Sequence, residues 1–522
     1  MTVRGPLANS YWSAVLLVVC ALVPFLALSS ALDPLLPILG AQLHLSKQAL
    51  SLTLGLSNAA YALGTVLAVQ LAVHYPQRRL LVLYATLFTL GSVMSATAFT
   101  PGLFIAGHVL QGLFTSMMLI AAAPPLVLGW PTARLPTTAM VMNLGIFGAV
   151  AAGPVIGGAQ ASAHAWRPLF WIVCGVGGLA LLLSLLTFED SPAQDPEAPR
   201  DWAAILLAGA GCAAAFFGAS ELETHRMLDL IVFAPLLTGA ALLLGLIVHQ
   251  LVARNPLMPM RQLLHTFPVA AITIAISAGA GSIALVELAQ TTLATHESPS
   301  HIGVLFLPEV GGAILTAFLF GALIRTRFIP AFAWLGLLTL AGGAAVFTGV
   351  ATGPDTLVLV GSGLIGIGLG ASVAPALFTT GFSLRSGQLQ RVFAMLELLR
   401  GAAAFAAGPI ILHLAMTTGG SPAAGTQISV WVCFAIVMTG ALVSLYIFVL
   451  GRGRLQVPNI DNWDENGEPA WYSPPLAAGI RPTTSPSHAG NGNGNGVADL
   501  SSREAARVEA LARALRLARS DA

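Results

Sequence analysis

The sequence Gly148-Ala149-Val150-Ala151-Ala152-Gly153-Pro154-Val155-Ile156-Gly157-Gly158 lies inside a long apolar segment and is the most informative stretch of this chain. A proline within a helix removes a backbone hydrogen bond and clashes with the preceding turn, so the helix bends. Glycines beside it allow a neighbouring helix to approach closely. Two interpretations are open at this point: a helix shaped only for packing, or a helix that bends when the protein works.

The composition of the chain is that of a membrane protein. Of 522 residues, 56% are hydrophobic and 9% are charged, whereas about a quarter of residues are charged in soluble domains. A helix needs roughly 20 apolar residues to cross a bilayer. We therefore predict an all-α polytopic membrane protein with fourteen transmembrane helices, at 11–39, 49–73, 80–99, 103–128, 137–160, 168–188, 202–220, 229–250, 267–294, 302–324, 329–351, 357–378, 392–416 and 428–450.

The distribution of basic residues predicts that both termini are cytoplasmic, since short cytoplasmic loops are rich in Arg and Lys. With that orientation the outer side carries only Lys47, Arg167 and Arg226. The inner side carries Arg4, Arg78, Arg79, Arg134, Arg200, Arg254, Arg261, Arg325, Arg327, Arg385, Arg391, Arg452 and Arg454. The first segment is too long for a signal peptide, so we expect an uncleaved helix in a multi-pass protein of the cell membrane.

Several functional classes are excluded by the sequence. The net charge of +1 gives no reason to expect a nucleic-acid partner. The four cysteines lie inside apolar segments without CxxC spacing, so we expect neither disulfides nor a metal site. The HExxH, GxSxG and GxxxxGK[ST] motifs are missing, and the loops are too short for a catalytic domain. We therefore expect no enzyme and no cofactor.

An internal repeat relates two parts of the chain. Asp33 and Pro154 are 121 positions apart (154 − 33), and Glu287 and Pro409 are 122 apart (409 − 287). Each half thus has an acid late in its first helix and a Gly-Pro in its fifth. Repeated halves with a binding site at their interface are typical of transporters.

The repeat predicts the following organisation: an N-terminus at 1–10, a six-helix half at 11–188, a cytoplasmic linker at 189–201, an inserted helix pair at 202–250, a second half at 251–450 and a mostly disordered tail at 451–522. Trp463 and Trp471 indicate that part of 462–475 docks on the cytoplasmic face. The spacing of apolar and basic residues over 501–519 fits an amphipathic helix on anionic lipid, or a solvated helix.

Three carboxylates within apolar sequence are predicted to carry protons: Asp33, Glu287 and Glu309. Inserting a carboxylate into the membrane costs about 3 kcal/mol, so such groups are functional candidates. The alternative for Asp33 is a helix cap before Pro34, and for the two glutamates it is a structural hydrogen bond. His108 is a fourth candidate, with a packed core histidine as the alternative.

Other polar and small residues are candidates for lining a substrate cavity or for shaping the helices around it. Glu397 and Arg400 are spaced i,i+3 and should pair on one helix face, as a structural pair or a substrate contact. The amides of Asn58, Gln111, Asn143 and Gln290 line a cavity or join helices. The residues predicted to shape the bending helices are Gly148, Gly153, Pro154, Gly157, Gly158, Gly408 and Pro409.

These motifs resemble the 14-span drug:proton antiporters of the major facilitator superfamily, the EmrB/QacA type, over about residues 11–450. The resemblance rests on Leu32-Asp33, Leu110-Gln111-Gly112, Gly153-Pro154-Val155-Ile156-Gly157-Gly158, Trp166-Arg167 and Asn255-Pro256-Leu257-Met258-Pro259. The Gly-Pro-x-x-Gly-Gly element marks proton-coupled exporters in that family. The resemblance implies alternating access driven by the proton motive force.

Two departures indicate a divergent member. Where the family has Gly-x-Leu-x-Asp-Arg-x-Gly-Arg between the second and third helices, this chain has Val73 in place of the acid and Pro76 in place of a glycine, while Arg78 and Arg79 supply basic groups. His108 replaces the usual arginine of the fourth helix, a position linked to proton coupling in the family. A histidine titrates near neutral pH and is not a fixed charge.

The expected function is export of small amphipathic or hydrophobic compounds in exchange for protons, by a monomer in the lipid bilayer. The alternatives are a dedicated exporter of one natural product or lipid, and a non-transporting membrane sensor with the tail as its output.

Overall fold

The computed structural model describes residues 5–187, 193 and 195–476. Fourteen helices in this part of the chain are long and apolar enough to span a membrane, which confirms the predicted fold class. These spans, numbered one to fourteen, are Tyr11–Ala31, Lys47–His74, Gln77–Ala96, Pro101–Leu128, Thr132–Ser162, Arg167–Thr187, Trp202–Glu223, Leu230–Val252, Thr266–Leu293, Pro299–Leu323, Ile329–Phe347, Asp355–Phe382, Ser386–Thr417 and Pro422–Leu450. We call inner the side on which the chain is predicted to begin.

The packing of the spans repeats between the two halves. In the first half, span one packs against spans four, five and six, span four packs against spans two and three, and span three packs against span six. In the second half, span nine packs against spans twelve, thirteen and fourteen, span twelve packs against spans ten and eleven, and span eleven packs against span fourteen. These are the equivalent pairs. Such agreement follows from two copies of one six-helix arrangement.

The halves meet along two equivalent lines of contact. Span two packs against span thirteen, and span five packs against span ten. The repeat relates span two to span ten and span five to span thirteen. The two contacts are therefore equivalent, and the interface is nearly symmetric. Spans seven and eight pack against each other, and span seven also packs against span two. Span eight is the least buried of the described spans.

The predicted first segment, 11–39, is not one continuous helix. Span one ends at Ala31, a 3-10 turn follows at Asp33–Leu35, and a short helix covers Leu36–Leu43. Pro34 and Pro37 stand near the start of these two pieces, where a missing amide hydrogen costs nothing. The break places Asp33 in a turn at the outer end of span one.

Span five is distorted before its proline. The helix Leu135–Asn143 passes into a π-helical turn at Leu144–Gly148 and resumes at Ala149–Ser162. Gly145 and Gly148 lie in this turn and lower its preference for a regular helix. The sequence predicted a bend at Pro154, and the turn at Leu144–Gly148 was not predicted.

The glycines of span five bring it against the end of span one. A Cβ atom at Gly153 would collide with the side chain of Ser30, and one at Gly157 would collide with the carbonyl oxygen of Ala31. The same atom at Gly157 would lie 2.7 Å from Pro34 Cγ. The missing side chains therefore fix the position of the turn that carries Asp33.

The part of the predicted linker that the structure describes is held by hydrogen bonds to span two. In the linker, the amide of Asp195 donates to the carbonyl of Val73 at 3.0 Å, and the amide of Asp201 donates to Gln70 Oε1 at 3.0 Å. Burial opposes ionisation of Asp201, but hydrogen bonds from Ala204, Gln250 and His249 outweigh it and hold the pKa of Asp201 below its ordinary value. The predicted helix at 501–519 lies outside the described residues.

We predict that Gly157→Val destabilises the protein by about 1–3 kcal/mol, because the larger side chain overpacks the contact with Ala31 and Pro34. Thermal unfolding in detergent measures the effect. Gly175→Val is the matched control, since a Cβ at Gly175 meets nothing within 4 Å. An unfolding temperature that is unchanged by Gly157→Val, or lowered equally by both substitutions, would contradict this account of span five.

Candidate functional site

The two acids related by the repeat, Asp33 and Glu287, come close to each other. Asp33 lies in the turn after span one, and Glu287 lies in the second-last turn of span nine. The two carboxylates interact electrostatically across the interface between the halves. Both lie on the outer side, and both are partly buried.

Each of these acids lies against the Gly-Pro helix of its own half. In the first half, Gly157 makes room for Pro34, next to Asp33. In the second half, a Cβ atom at Gly408 would collide with Glu287 Oε2. The small residues predicted to give shape to spans five and thirteen therefore serve, in the structure, to accommodate the segments that carry the two acids.

A third carboxylate joins this group from the inserted helix pair. Glu223, in the 3-10 turn that ends span seven, interacts electrostatically with Glu287. Its neighbour Glu221 is buried and accepts two hydrogen bonds from Gln48 Nε2, both of 3.0 Å. Neither glutamate was predicted as a site residue, because the predicted span seven ends at residue 220. The signal available was an acidic pair directly after an apolar run.

The centre of the interface contains a buried ion pair. Arg400 Nη2 donates to Glu397 Oε2 at 2.6 Å, which confirms the expected pairing of these residues on one face of span thirteen. Tyr61 of span two donates from its hydroxyl to the same oxygen at 3.4 Å. The pair therefore neutralises itself within one half and contacts the other half through Tyr61.

His108 lies in the interior of the first half, apart from the interface. Its Nδ1 is 3.1 Å from Gln111 Oε1, and Gln111 Nε2 donates to Ser92 Oγ at 3.0 Å. The ring stacks on Phe104 with centroids 6.0 Å apart and also contacts Phe25. This environment fits the packed histidine, and it assigns Gln111 to a helix-joining network. The role of His108 in proton coupling stays a prediction.

A second polar junction joins spans five, ten and twelve. Asn143 Nδ2 donates to the carbonyl of Gly370 at 3.1 Å, across the two halves. Asn143 Oδ1 is buried and has no hydrogen-bond partner among the described residues, and the same holds for Glu309 Oε2 on span ten. Buried polar atoms without a partner are uncommon in proteins, so Asn143 and Glu309 remain candidate site residues.

The remaining predicted residues are dispersed. Asn58 is half-buried on span two, and Gln290 is buried on span nine. Arg78 donates from Nη2 to the carbonyl of Leu185 at 3.0 Å, at the inner end of span six, and Arg79 is exposed beside it. Gly148 lies at the end of the π-helical turn of span five, and Pro409 follows Gly408 within span thirteen.

The two halves contact each other near both ends of the spans. On the outer side, the carbonyl of Pro299 lies where a Cβ of Gly158 would collide with it. On the inner side, Gln390 Nε2 donates to the carbonyl of Ile120 at 3.1 Å, again across the halves. Tyr61 and Glu397 add a further contact between the halves, midway between these two.

Comparisons with known proteins agree with this architecture. Residues 17–408 match the Major Facilitator Superfamily, and the chain belongs to this superfamily. It is a membrane transporter and not an enzyme. The crystal structure of the human organic anion transporter MFSD10 (TETRAN) has a similar fold, with a TM-score of 0.57 and 14% sequence identity. The superposition covers 83% of this chain and 99% of the MFSD10 chain.

The curated relatives include drug efflux proteins. The multidrug resistance protein B homolog of Mycobacterium tuberculosis is 30% identical over 307 residues, which cover 57% of this chain and 56% of that protein. The drug efflux pump JefA of the same organism is 25% identical over 355 residues, 66% of this chain and 69% of that protein. The match to the first relative thus spans little more than half of its length.

We predict that Arg400→Met lowers the free energy of unfolding by about 3–5 kcal/mol, because it leaves Glu397 buried without its partner. The double substitution Glu397→Gln with Arg400→Met removes both charges and should recover most of the loss. Unfolding in detergent, followed by tryptophan fluorescence, gives both values. A double variant as unstable as Arg400→Met would show that the ion pair is not the cause.

Proposed function

We propose that this transporter exports small amphipathic or hydrophobic compounds across the cytoplasmic membrane in exchange for protons. The observation that carries the proposal is the approach of Asp33 and Glu287 from opposite halves, on the outer side. The names of the multidrug relatives support the compound class. The energy source is the proton motive force, and we propose a monomer that needs no cofactor or metal.

Electrostatic repulsion between the carboxylates provides a coupling mechanism. Two ionised carboxylates close together repel each other, so protonation of Asp33 or Glu287 stabilises contact between the halves on the outer side. Opening of that side exposes the pair to water and allows protons to exchange. In alternating access the halves rock about a central site, and the coupling equals the difference in proton affinity between the two states.

Asp33→Asn and Glu287→Gln should each reduce transport driven by a pH gradient by at least about tenfold, the scale of a typical coupling free energy. The assay uses inverted vesicles with a pH-sensitive dye, to which candidate drugs are added. Glu297→Gln is the control, because this outer carboxylate is paired with His301 and not with Glu287. Uphill transport by both variants at the wild-type rate would exclude the two acids as proton carriers.

The range of substrates separates the main proposal from its alternative. Transport of many unrelated dyes indicates a multidrug exporter, whereas transport of one compound indicates a dedicated exporter of a natural product or lipid. The replacement of the family's usual acid by Val73, near the inner end of span two, favours the dedicated exporter. A protein that moves no compound but responds to one through its tail would be the membrane sensor.

We propose that both termini are cytoplasmic, because the arginines concentrate in the inner loops. Single cysteines at Gly387 and Ser300, both exposed, test the topology in a variant without the four native cysteines. A membrane-impermeant maleimide added to intact cells should label Ser300→Cys and leave Gly387→Cys unlabelled. The opposite labelling pattern would invert the proposed topology, and with it the direction of transport.

A further inference from the structure

The chain after span fourteen folds back onto the inner end of the second half. We call residues 455–476 the inner strap. Trp463 Nε1 donates to the carbonyl of Leu384 at 2.9 Å, and Trp471 Nε1 donates to Ser383 Oγ at 2.8 Å. Both indoles are buried, with 1% and 5% of their surface exposed. The docking expected from the two tryptophans is confirmed for this segment.

Further contacts fix the inner strap to two spans of the second half. The ring of Phe382, at the end of span twelve, packs between the two indoles, with centroids 5.1 Å from Trp463 and 5.8 Å from Trp471. The amide of Thr266, at the start of span nine, donates to the carbonyl of Pro474 at 2.9 Å. The inner strap therefore moves with the second half.

One end of the inner strap reaches the first half. Its short helix, Ile460–Glu465, carries Asp461, and Thr132 Oγ1 donates to Asp461 Oδ1 at 2.6 Å. Thr132 lies in the 3-10 turn that begins span five. A hydrogen bond to a charged acceptor is shorter and stronger than a neutral one, so this contact adds to the closure of the inner side.

The turn that contains Thr132 is itself anchored. The guanidinium of Arg134 lies 5.1 Å from the ring centroid of Tyr11, and the Tyr11 hydroxyl is 3.0 Å from Thr138 Oγ1. Trp130 packs against the same ring with centroids 5.5 Å apart. The Thr132–Asp461 bond thus joins two anchored elements, one in each half.

We infer that Asp461 and Thr132 form an inner gate contact that must break whenever the transporter opens toward the inner side. The short connection between spans two and three, Tyr75-Pro76, contains no acid. The inner strap provides one from outside the two six-helix halves. This inference rests on the alternating access proposed above, but it does not depend on the substrate or on the coupling ion.

The test measures opening of the inner side directly. Spin labels are placed at Tyr75→Cys and Gly387→Cys, exposed positions at the inner ends of spans two and thirteen, in a variant without native cysteines. Double electron–electron resonance then gives the distance distribution between the halves in lipid nanodiscs. Asp461→Ala should raise the ratio of inward-open to closed protein about two- to tenfold, the effect of one lost hydrogen bond.

Three further variants make the result specific. Glu465→Ala, an exposed acid on the same short helix, should leave the distribution unchanged. Asp461→Asn keeps an acceptor and should give an intermediate shift, and adding Thr132→Val to Asp461→Ala should change nothing more. An unchanged distribution for Asp461→Ala, or an equal shift for Glu465→Ala, overturns the inference. A specific shift in a protein that shows no proton coupling supports the gate contact while contradicting the proposed antiport.

Discussion

The structure depends on the cost of placing carboxylates where the chain is otherwise apolar. Each such group costs about 3 kcal/mol to insert, so it must be paired with another group, protonated or hydrated. Asp33 and Glu287 lie near each other at the interface between the halves, where the proposed alternating access would change their surroundings. Glu397 is paired with Arg400 and also contacts Tyr61 of the other half. The ion pair lies within one span, whereas the two acids belong to different halves.

The symmetry of the fold explains why the two acids are paired. Because span one and span nine occupy equivalent places, acids near the outer ends of both approach each other at the same end of the molecule. The Gly-Pro helices are equivalent as well, and each lies against the acid-bearing segment of its own half. In the proposed mechanism, a change in the bend of span five or span thirteen would displace that segment and so alter the electrostatics of the pair.

The features that could be predicted from the sequence are those that depend on local pattern or on the repeat. Apolar length predicted the fourteen spans, and i,i+3 spacing predicted the pairing of Glu397 with Arg400. The repeat indicated that Asp33 and Glu287 correspond. Contacts between distant segments could not be predicted in this way: Glu223 lies in the turn after the helix that ends at Ser220, and Asp461 meets Thr132 across more than three hundred residues. The π-helical turn of span five also has no sequence signature, since a span that is apolar on nearly all sides has no periodic pattern for one inserted residue to shift.

The contact between Gly408 and Glu287 also limits how this sequence can change over evolution. A methyl group at position 408 would occupy the space of the Glu287 carboxylate, so alanine there would force this flexible side chain to turn away from span thirteen. We therefore expect the two positions to vary together among descendants of this chain wherever the place of the carboxylate matters. If Glu287 carries protons as proposed, loss of the glycine before the proline would be a genetic mark of a transporter whose coupling acid had been displaced.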